Sequence, residues 1–151
     1  MLELNVTAVF ELTRDFLPLM TAAASEADPA RVINIGSVDG CQVPALDTFS
    51  YSSSKAALHQ LSRVLAWHLA AKHITVNAVA PGPFESKMMA ATLEAMGDVI
   101  RASVPLKRIG RPSDMAGIAL FLSSAAGSYV SGAVIPVDGG TLIAPRGGAR
   151  L

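Results

Sequence analysis

Hydrophobic positions along the chain alternate between helical and strand spacing. Apolar residues recur every three or four positions from about Val6 to Ala24, which predicts a helix with one buried face. Pro18 lies inside this stretch, where a proline is able to kink a helix. After a polar break at residues 25–29, the β-branched run Val32–Ile35 predicts a short buried strand.

The second long helix is the clearest element that the pattern predicts, from about Ser50 to Lys72. One face of this helix carries residues at spacings of three and four, namely Leu58, Leu61, Val64, Leu65, His68 and Leu69. The small residues Ala56 and Ala57 would allow a neighbouring helix to approach closely. We interpret His68 as a packed or interface histidine and not as a catalytic one.

Four further elements follow in the second half of the chain. The run Ile74–Val79 predicts a buried strand, which ends at the Pro81-Gly82-Pro83 loop because a strand does not continue through these residues. Residues 86–104 are rich in Met and Ala and predict a mobile helix or lid. A helix is predicted over Pro112–Ser124, with proline in its first turn, and a last strand over Ala133–Val137.

Strands that alternate with helices are typical of an α/β protein with a doubly wound parallel sheet. The pattern supplies about three strands with flanking helices, which is few for such a sheet. In open α/β sheets, ligands bind outside the carboxyl ends of the strands. Candidate chemistry is therefore expected in the loops that follow the predicted strands.

Composition limits the classes of partner. The chain has 151 residues, 51% of them hydrophobic, with 12 basic and 12 acidic side chains, which describes one globular domain or most of one. Without a basic excess, no nucleic-acid partner is predicted. The single cysteine, Cys41, has no intrachain disulfide partner, and neither Cys nor His shows metal-ligand spacing. We therefore predict no metal site and a cytoplasmic location.

One stretch is long enough to span a membrane, since residues 115–137 carry no charge. Serine and glycine pairs interrupt it at residues 123–124, 127–128 and 131–132. These interruptions predict an apolar helix, a turn and a strand instead of a membrane span. The charged N-terminal stretch also lacks the apolar core of a signal peptide, so no membrane partner is predicted.

The candidate chemistry lies in Ser37, Tyr51 and Lys55. Positions four apart in a helix share a face, so the Lys55 ammonium is expected beside the Tyr51 phenol. A nearby cation favours a phenolate, which exchanges a proton with an alcohol or carbonyl oxygen. Ser37 follows Gly36 at the end of a predicted strand. Tyr and Lys also occur at this spacing by chance, and Ser after Gly is often only a turn residue, so both structural readings stay open.

A serine hydrolase is a third class to consider for Ser37. The nucleophile turn of such enzymes has glycine two residues before and two residues after the serine. Ile35 and Asp39 occupy these places, and no histidine has an assigned base position near Ser37. The sequence therefore disfavours this class.

Taken in their order and spacing, these motifs resemble the C-terminal part of a short-chain dehydrogenase/reductase, over about residues 4–140. The resemblance implies a Rossmann-like fold and hydride transfer between NAD or NADP and a small carbonyl or alcohol substrate. It implies four catalytic residues. Asn5 would hold a proton-relaying water through its helix backbone, and Ser37 would hydrogen-bond the substrate oxygen. Tyr51 would be the acid/base, and Lys55 would promote its deprotonation and bind the nicotinamide ribose.

The resemblance also implies a nicotinamide site that uses the loop after the second strand. The cofactor-binding residues that it implies are Tyr51, Lys55, Pro81, Gly82, Phe84 and Ser86. Ser86 stands where the family usually has threonine, and this change keeps the hydroxyl. Within the family the chain is most similar to 3-oxoacyl-carrier-protein reductases, which favours an apolar ketone or acyl-thioester substrate. The lid over residues 83–108 shows no charge cluster for a phosphate or carboxylate.

The sequence contains no Gly-rich turn of the kind that binds the cofactor pyrophosphate. We therefore expect an N-terminally truncated chain without the adenine and pyrophosphate site, short of on the order of a hundred residues. Residues 1–151 would form the C-terminal part of one Rossmann-like domain, with 141–151 as a loose tail. One face of the first helix and one edge of the first strand would then be bare.

Two functions remain open for the chain as given. The first is an NAD(P)-dependent oxidoreductase, and the alternative is a non-catalytic product that acts as an interaction module. Members of the family commonly pair through their two long helices, so the resemblance implies a homo-oligomer for the complete protein.

Overall fold

The core of the protein is a parallel sheet of three strands, as predicted. A computed structural model describes residues 1–44, 46–87 and 89–144. The strands are β1 (Ala30–Ile35), β2 (Ile74–Pro81) and β3 (Val134–Val137), in the order β1-β2-β3. Because β2 pairs on both sides, it is buried from Ile74 to Ala80.

In the described ranges, four α-helices flank the sheet at the predicted places. They are α1 (Ala8–Ala23), α2 (Phe49–Leu69), α3 (Ala90–Ser103) and α4 (Pro112–Ser123). A π-helical turn, Glu3–Thr7, leads directly into α1, and α1 continues past Pro18. The backbone of α3 leaves helical geometry at Met96, so this helix has two parts. Whether the segment around α3 moves as a lid stays a prediction.

The buried face of α2 differs in part from the predicted one. Leu58, Leu65 and Leu69 are buried, and the last two pack with Ile74 and Val76 of β2. Val64 and His68 are exposed. The prediction of a packed His68 is therefore wrong for this chain, while a role at an interface stays a prediction.

Some buried positions of α2, which the apolar pattern did not predict, are occupied by polar residues. Ser54, His59 and Ser62 are buried. The Ser62 hydroxyl donates to the Leu58 carbonyl and accepts from the Asn34 amide at 2.9 Å, so its burial leaves no unpaired group. The face of α2 that meets the sheet is consequently a mixed apolar and polar surface.

Among the residues that the structure describes, nothing covers the outer face of α1 or pairs with the second edge of β1, as expected. Thr13 is the residue of α1 that is buried, whereas Phe10, Leu12, Phe16 and Leu19 are exposed. Leu17 and Met20 of α1 pack against the core. β1 pairs with β2 along one edge, and Ile35 at its end is 52% exposed. Contiguous apolar surface of this kind is typical of an interaction surface.

The uncharged stretch near the C-terminus folds as predicted into a helix, a turn and a strand. Helix α4 gives way to a short 3₁₀ turn at Ala125–Gly127 and then to β3. None of the helices in the described ranges is long and apolar enough to cross a membrane. Thr141–Ile143 forms another 3₁₀ turn. The rest of the predicted tail from residue 145, and Met88 of the predicted lid, lie outside the described residues.

Candidate active site

The loops that follow the three strands meet at one edge of the sheet. The Gly36 amide donates to the Val79 carbonyl at 2.7 Å, which joins the ends of β1 and β2. The Gly82 amide donates to the Val137 carbonyl at 3.0 Å, which joins the ends of β2 and β3. The sequence-predicted Ser37, Pro81 and Gly82 therefore lie at this carboxyl edge, where open α/β sheets bind ligands.

Tyr51 and Lys55 lie in the first turns of α2, beside the end of β1. The Lys55 Nζ atom is 5.7 Å from the centroid of the Tyr51 ring, so the cation and the aromatic ring share one side of the helix. The same Nζ donates a 2.8 Å hydrogen bond to the Ile35 carbonyl. Partial burial lowers the pKa of Lys55. The ammonium is thus held at the strand end by a backbone acceptor.

Ser37 begins the turn that follows β1 and is 7% exposed. Its Oγ accepts a hydrogen bond from the Asp39 amide at 3.1 Å, which caps the 3₁₀ turn Val38–Gly40. A hydroxyl has one proton to donate besides the lone pairs that accept. The Ser37 O–H therefore remains available to donate to a ligand oxygen.

Two glycines allow the Ser37 turn to pack against α2. A Cβ atom on Gly40 would lie 2.7 Å from the Lys55 carbonyl carbon and from the Ala56 nitrogen, both of them backbone atoms. A Cβ atom on Gly36 would lie 2.1 Å from Nε2 of His59. Glycine is therefore required for the close approach at both positions, and this approach sets Ser37 beside the helix that carries Tyr51 and Lys55.

Asn5 reaches α2 through a pair of hydrogen bonds. Its Nδ2 donates to the Ser54 hydroxyl at 2.9 Å, and that hydroxyl donates to the Tyr51 carbonyl at 2.7 Å. Asn5 lies in the π-helical turn before α1, and such turns are frequent at functional sites. Both Ser54 and the π-helical turn were missed from the sequence. The one available signal was the position of Ser54 four residues before the predicted core residue Leu58.

The loop after β2 is anchored to β3 and to the start of α4. A Cβ atom on Gly82 would lie 2.8 Å from the Asp138 Cα. Phe84 pairs with Gly110 in a parallel β-bridge, and a Cβ atom on Gly110 would lie 2.3 Å from the Phe84 ring. Ser86 is exposed, and its hydroxyl accepts from the Met89 amide at 3.2 Å, in the turn that leads into α3. Phe84 and Ser86 therefore have structural partners within the loop.

A cavity of about 550 Å³ lies between the Ser37 turn and the start of α2. Its apolar lining includes Val43, Leu46 and Phe49, and its charged lining consists of Asp39 and Asp47. Partial burial raises the pKa of Asp39. Ser37, Tyr51 and Lys55 are not part of this lining, although it includes Ser52 and Ala56, which follow Tyr51 and Lys55, and Asp39, two residues after Ser37. The cavity thus adjoins the candidate site and presents acidic groups without a lysine or arginine.

A second cavity, of about 480 Å³, lies between the loop after β2 and the end of β3. Phe84, Leu106 and Ile143 line it, together with the ion pair between Arg108 and Asp114. Arg108 and the Arg111 amide hold the pKa of Asp114 at about 2. Within the described part of the chain, no group of three His, Cys, Asp or Glu side chains is placed to hold a metal ion.

Sequence reasoning also missed His59, which is 3% exposed. It lies four residues after Lys55 and eight after Tyr51, so the three residues share one face of α2. Its Nε2 accepts from the Ser37 amide at 3.4 Å, and its Nδ1 is 3.6 Å from the Cys41 Sγ. Burial, and then the nearby Arg63, lower the pKa of His59. The repeated spacing of four was the signal that would have identified it.

Known proteins match most of the length of this chain. A family model described as enoyl-(acyl carrier protein) reductase matches residues 1–141. The chain is 49% identical over 142 residues to a rhamnolipid-biosynthesis 3-oxoacyl-[acyl-carrier-protein] reductase of Pseudomonas aeruginosa, covering 92% of this chain and 55% of that protein. It is 39% identical over 140 residues to a galactitol 2-dehydrogenase of Cereibacter sphaeroides, covering 90% and 53%.

The fold is also close to that of solved structures. The Pseudomonas aeruginosa RhlG/NADP active-site complex superimposes with a TM-score of 0.89 at 47% identity, over 93% of this chain and 58% of that one. The chain therefore spans about half the length of the relatives that it matches.

Proposed function

Since this chain belongs to the short-chain dehydrogenase/reductase family, we propose that it carries the nicotinamide-side half of an NAD(P)-dependent oxidoreductase site. The reaction would interconvert a carbonyl and an alcohol. The observation that carries the proposal is the Lys55 ammonium, which is hydrogen-bonded to the end of β1 and lies 5.7 Å from the Tyr51 ring. A phenol beside a fixed cation, at the carboxyl edge of a parallel sheet, suits proton exchange with a bound ligand.

Tyr51 would act as the acid and the base. In the direction of reduction its phenol donates a proton to the substrate oxygen, and in oxidation the phenolate takes the proton back. Lys55 brings a positive charge to the side of the Tyr51 ring, and the Ile35 carbonyl keeps that charge in place.

The donor groups of Lys55 fit the ribose of a nicotinamide cofactor. An ammonium group has three N–H donors, and one of them is given to the Ile35 carbonyl. The others are able to donate to ribose hydroxyls. Pro81 and Gly82 would line the nicotinamide face of the same edge, followed by Phe84 and Ser86 in the loop to α3. When bound, the cofactor supplies or accepts the hydride.

Ser37 would orient the substrate oxygen. Its Oγ already accepts from the Asp39 amide, so its proton is the group left to donate to the ligand. Two donors, Ser37 and Tyr51, would then stabilise the negative charge that develops on that oxygen during reduction. Asn5 would help to resupply the proton from its place in the π-helical turn. The hydrogen bond from Asn5 to Ser54 holds this turn against α2.

The 550 Å³ cavity favours an uncharged carbonyl substrate with an apolar portion. Val43, Leu46 and Phe49 offer apolar contact, while Asp39 and Asp47 would repel a carboxylate or phosphate. An apolar ketone or acyl thioester meets these conditions. The P. aeruginosa relative, by its name, acts on 3-oxoacyl groups of acyl carrier protein, which is compatible with this preference.

We also propose a homo-oligomer that pairs the outer faces of α1 and α2. Phe10, Phe16 and Leu19 are exposed on α1, and Trp67 is exposed on α2. Large aromatic side chains that are exposed in a monomer are typical of interface anchors. Sedimentation of the purified chain would test this, because a monomer at all concentrations contradicts it.

Replacement of Tyr51 tests the proposed chemistry. A fusion protein would combine the N-terminal half of the P. aeruginosa reductase with this chain, which replaces the C-terminal half of that reductase. Oxidation of NADPH and NADH would be measured with a 3-oxoacyl thioester as the substrate. We expect Tyr51→Phe to lower kcat by about a hundredfold or more, the usual contribution of a general acid. Cofactor affinity should change little, since the removed hydroxyl would act on the substrate.

Tyr129→Phe is the matched control, because Tyr129 is 102% exposed. It removes the same hydroxyl from the surface and should leave kcat unchanged. Full turnover of the Tyr51→Phe fusion would contradict the acid/base role. An active fusion with turnover only when Tyr51 is present would exclude the interaction-module alternative for this half of the fold.

A further inference from the structure

We propose that His59 is a positioning residue, whose ring nitrogen fixes the turn that presents the Ser37 hydroxyl. The proposal rests on the proposed function, because the role of Ser37 gives this positioning its consequence. It does not depend on which cofactor or substrate is bound. It concerns one buried histidine that the roles assigned to Asn5, Ser37, Tyr51 and Lys55 leave unused.

His59 fills the space between α2 and the end of β1. The ring lies against the two glycines that flank Ser37 in the turn. A Cβ atom on Gly36 would lie 2.1 Å from Nε2, and one on Gly40 would lie 2.9 Å from Cε1. The position of the turn relative to α2 is therefore set by contact with this ring.

The polar contacts of the ring specify one tautomer. Nε2 accepts from the Ser37 amide at 3.4 Å, so this nitrogen carries no proton. The proton of the neutral ring is then on Nδ1, which faces the Cys41 Sγ at 3.6 Å. Both partners belong to the same turn, so the ring holds that turn at two points.

Protonation of the ring would break this arrangement, because Nε2–H would face the Ser37 N–H. The titratable groups that face His59 are Lys55 and Arg63 of α2 and Cys41 of the turn. Burial, Arg63 and Lys55 together outweigh a hydrogen bond to the Gly40 backbone and lower the pKa of His59, which favours the neutral ring at neutral pH. The acceptor is thus maintained under physiological conditions.

Loss of the acceptor would leave the Ser37 amide unpaired in a buried place. Ser37 is 7% exposed, and an unpaired buried amide is costly. The turn would rotate to find another acceptor, and the Ser37 hydroxyl would move with it. At present the amide is held by His59 and the Oγ is held by Asp39, so only the hydroxyl proton is free.

The test is amide hydrogen exchange, measured by NMR on the full 151-residue chain. We expect His59→Leu to speed exchange of the Ser37 amide by about tenfold, the factor for loss of one ordinary hydrogen bond. Exchange of the Ala78 amide, which donates to the Ala133 carbonyl at 2.9 Å, should be unchanged and reports on the fold. His59→Gln should restore slow exchange, because its amide oxygen offers an acceptor near the place of Nε2. His68→Leu, on the exposed side of α2, is the control.

Unchanged exchange of the Ser37 amide in a folded His59→Leu chain would overturn the proposal. If exchange of the Ala78 amide also becomes faster in that variant, the fold itself is disturbed, and the tautomer of His59 in the wild-type chain tests the proposal instead. Long-range proton–nitrogen spectra should show the proton of His59 on Nδ1, and a proton on Nε2 would overturn the proposal. Neither measurement needs turnover, so failure here is distinct from failure of the Tyr51 role.

Discussion

Replacing Gly40 by alanine should destabilise the protein and displace the Ser37 turn. The added Cβ would lie 2.7 Å from two backbone atoms of α2, the Lys55 carbonyl carbon and the Ala56 nitrogen. Neither belongs to a side chain that is able to rotate away. Gly40 is also not among the described glycines with positive φ, so the effect is one of space and not of backbone conformation.

The size of the effect follows from the cost of overpacking. An inserted methyl group that forces backbone shifts costs about 1–3 kcal/mol. For a chain of this size, each kcal/mol lowers Tm by about 2–4 °C, so Gly40→Ala should lower Tm by roughly 2–12 °C. Gly117→Ala is the matched control, because a Cβ there meets nothing within 4 Å and the residue lies inside α4. Alanine is favoured in a helix interior, which predicts a gain of about 0.5–1 kcal/mol.

Thermal unfolding followed by circular dichroism, with urea titration as a second measure, separates the two substitutions. We expect opposite signs, a loss for Gly40→Ala and a small gain for Gly117→Ala. Equal stability of Gly40→Ala and the wild-type chain would refute the argument that glycine is needed for this contact. The turn would then be able to recede from α2 at no cost, and its position would not constrain Ser37.

Two further predictions concern charged residues. Lys55→Met should lower turnover of the fusion protein by about a hundredfold. Its free energy of unfolding should change by no more than about 1 kcal/mol, because water is able to replace the hydrogen bond to the Ile35 carbonyl of an exposed residue. A loss of stability large enough to account for the lost turnover would instead indicate a structural role. The pKa of Asp114 is about 2 in the folded chain and about 4 in the unfolded chain. Asp114 therefore stabilises the folded state above about pH 4, and this stabilisation is lost as pH falls through 2. Urea titrations should therefore show a wild-type advantage over Asp114→Asn at pH 5 that shrinks toward pH 2, and an advantage that does not depend on pH would contradict the assignment.

The sequence predicted those features that depend on neighbours along the chain. The β-branched run at Ile74–Val79 and the leucines of α2 report local preference and burial together, and the strand and helix formed where they were expected. The Tyr51–Lys55 pair was predictable for the same reason, since four residues apart in a helix is a fixed geometry. The parallel order of the strands followed from the alternation with helices.

The features that were missed depend on partners from distant parts of the chain. The buried Ser54 accepts from Asn5, 49 positions earlier, and the buried Ser62 accepts from Asn34, 28 positions earlier, so both hydroxyls are paired by distant residues. His59 meets the Ser37 amide from 22 positions away. A prediction from apolar periodicity assigns polar residues such as these to the solvent face. His68 was assigned to the buried face because its spacing matches that of the leucines around it.

The central claim is that Tyr51 and Lys55, at the carboxyl edge of the sheet, catalyse an oxidoreductase reaction. Direct observation of hydride transfer tests this claim. NADPH that carries deuterium at C4 of the nicotinamide would be incubated with the fusion protein and a 3-oxoacyl thioester. We predict that deuterium appears on the new carbinol carbon with the wild-type sequence and with Tyr129→Phe, and that this transfer is nearly lost with Tyr51→Phe. Transfer at an undiminished rate by the Tyr51→Phe protein would contradict the claim.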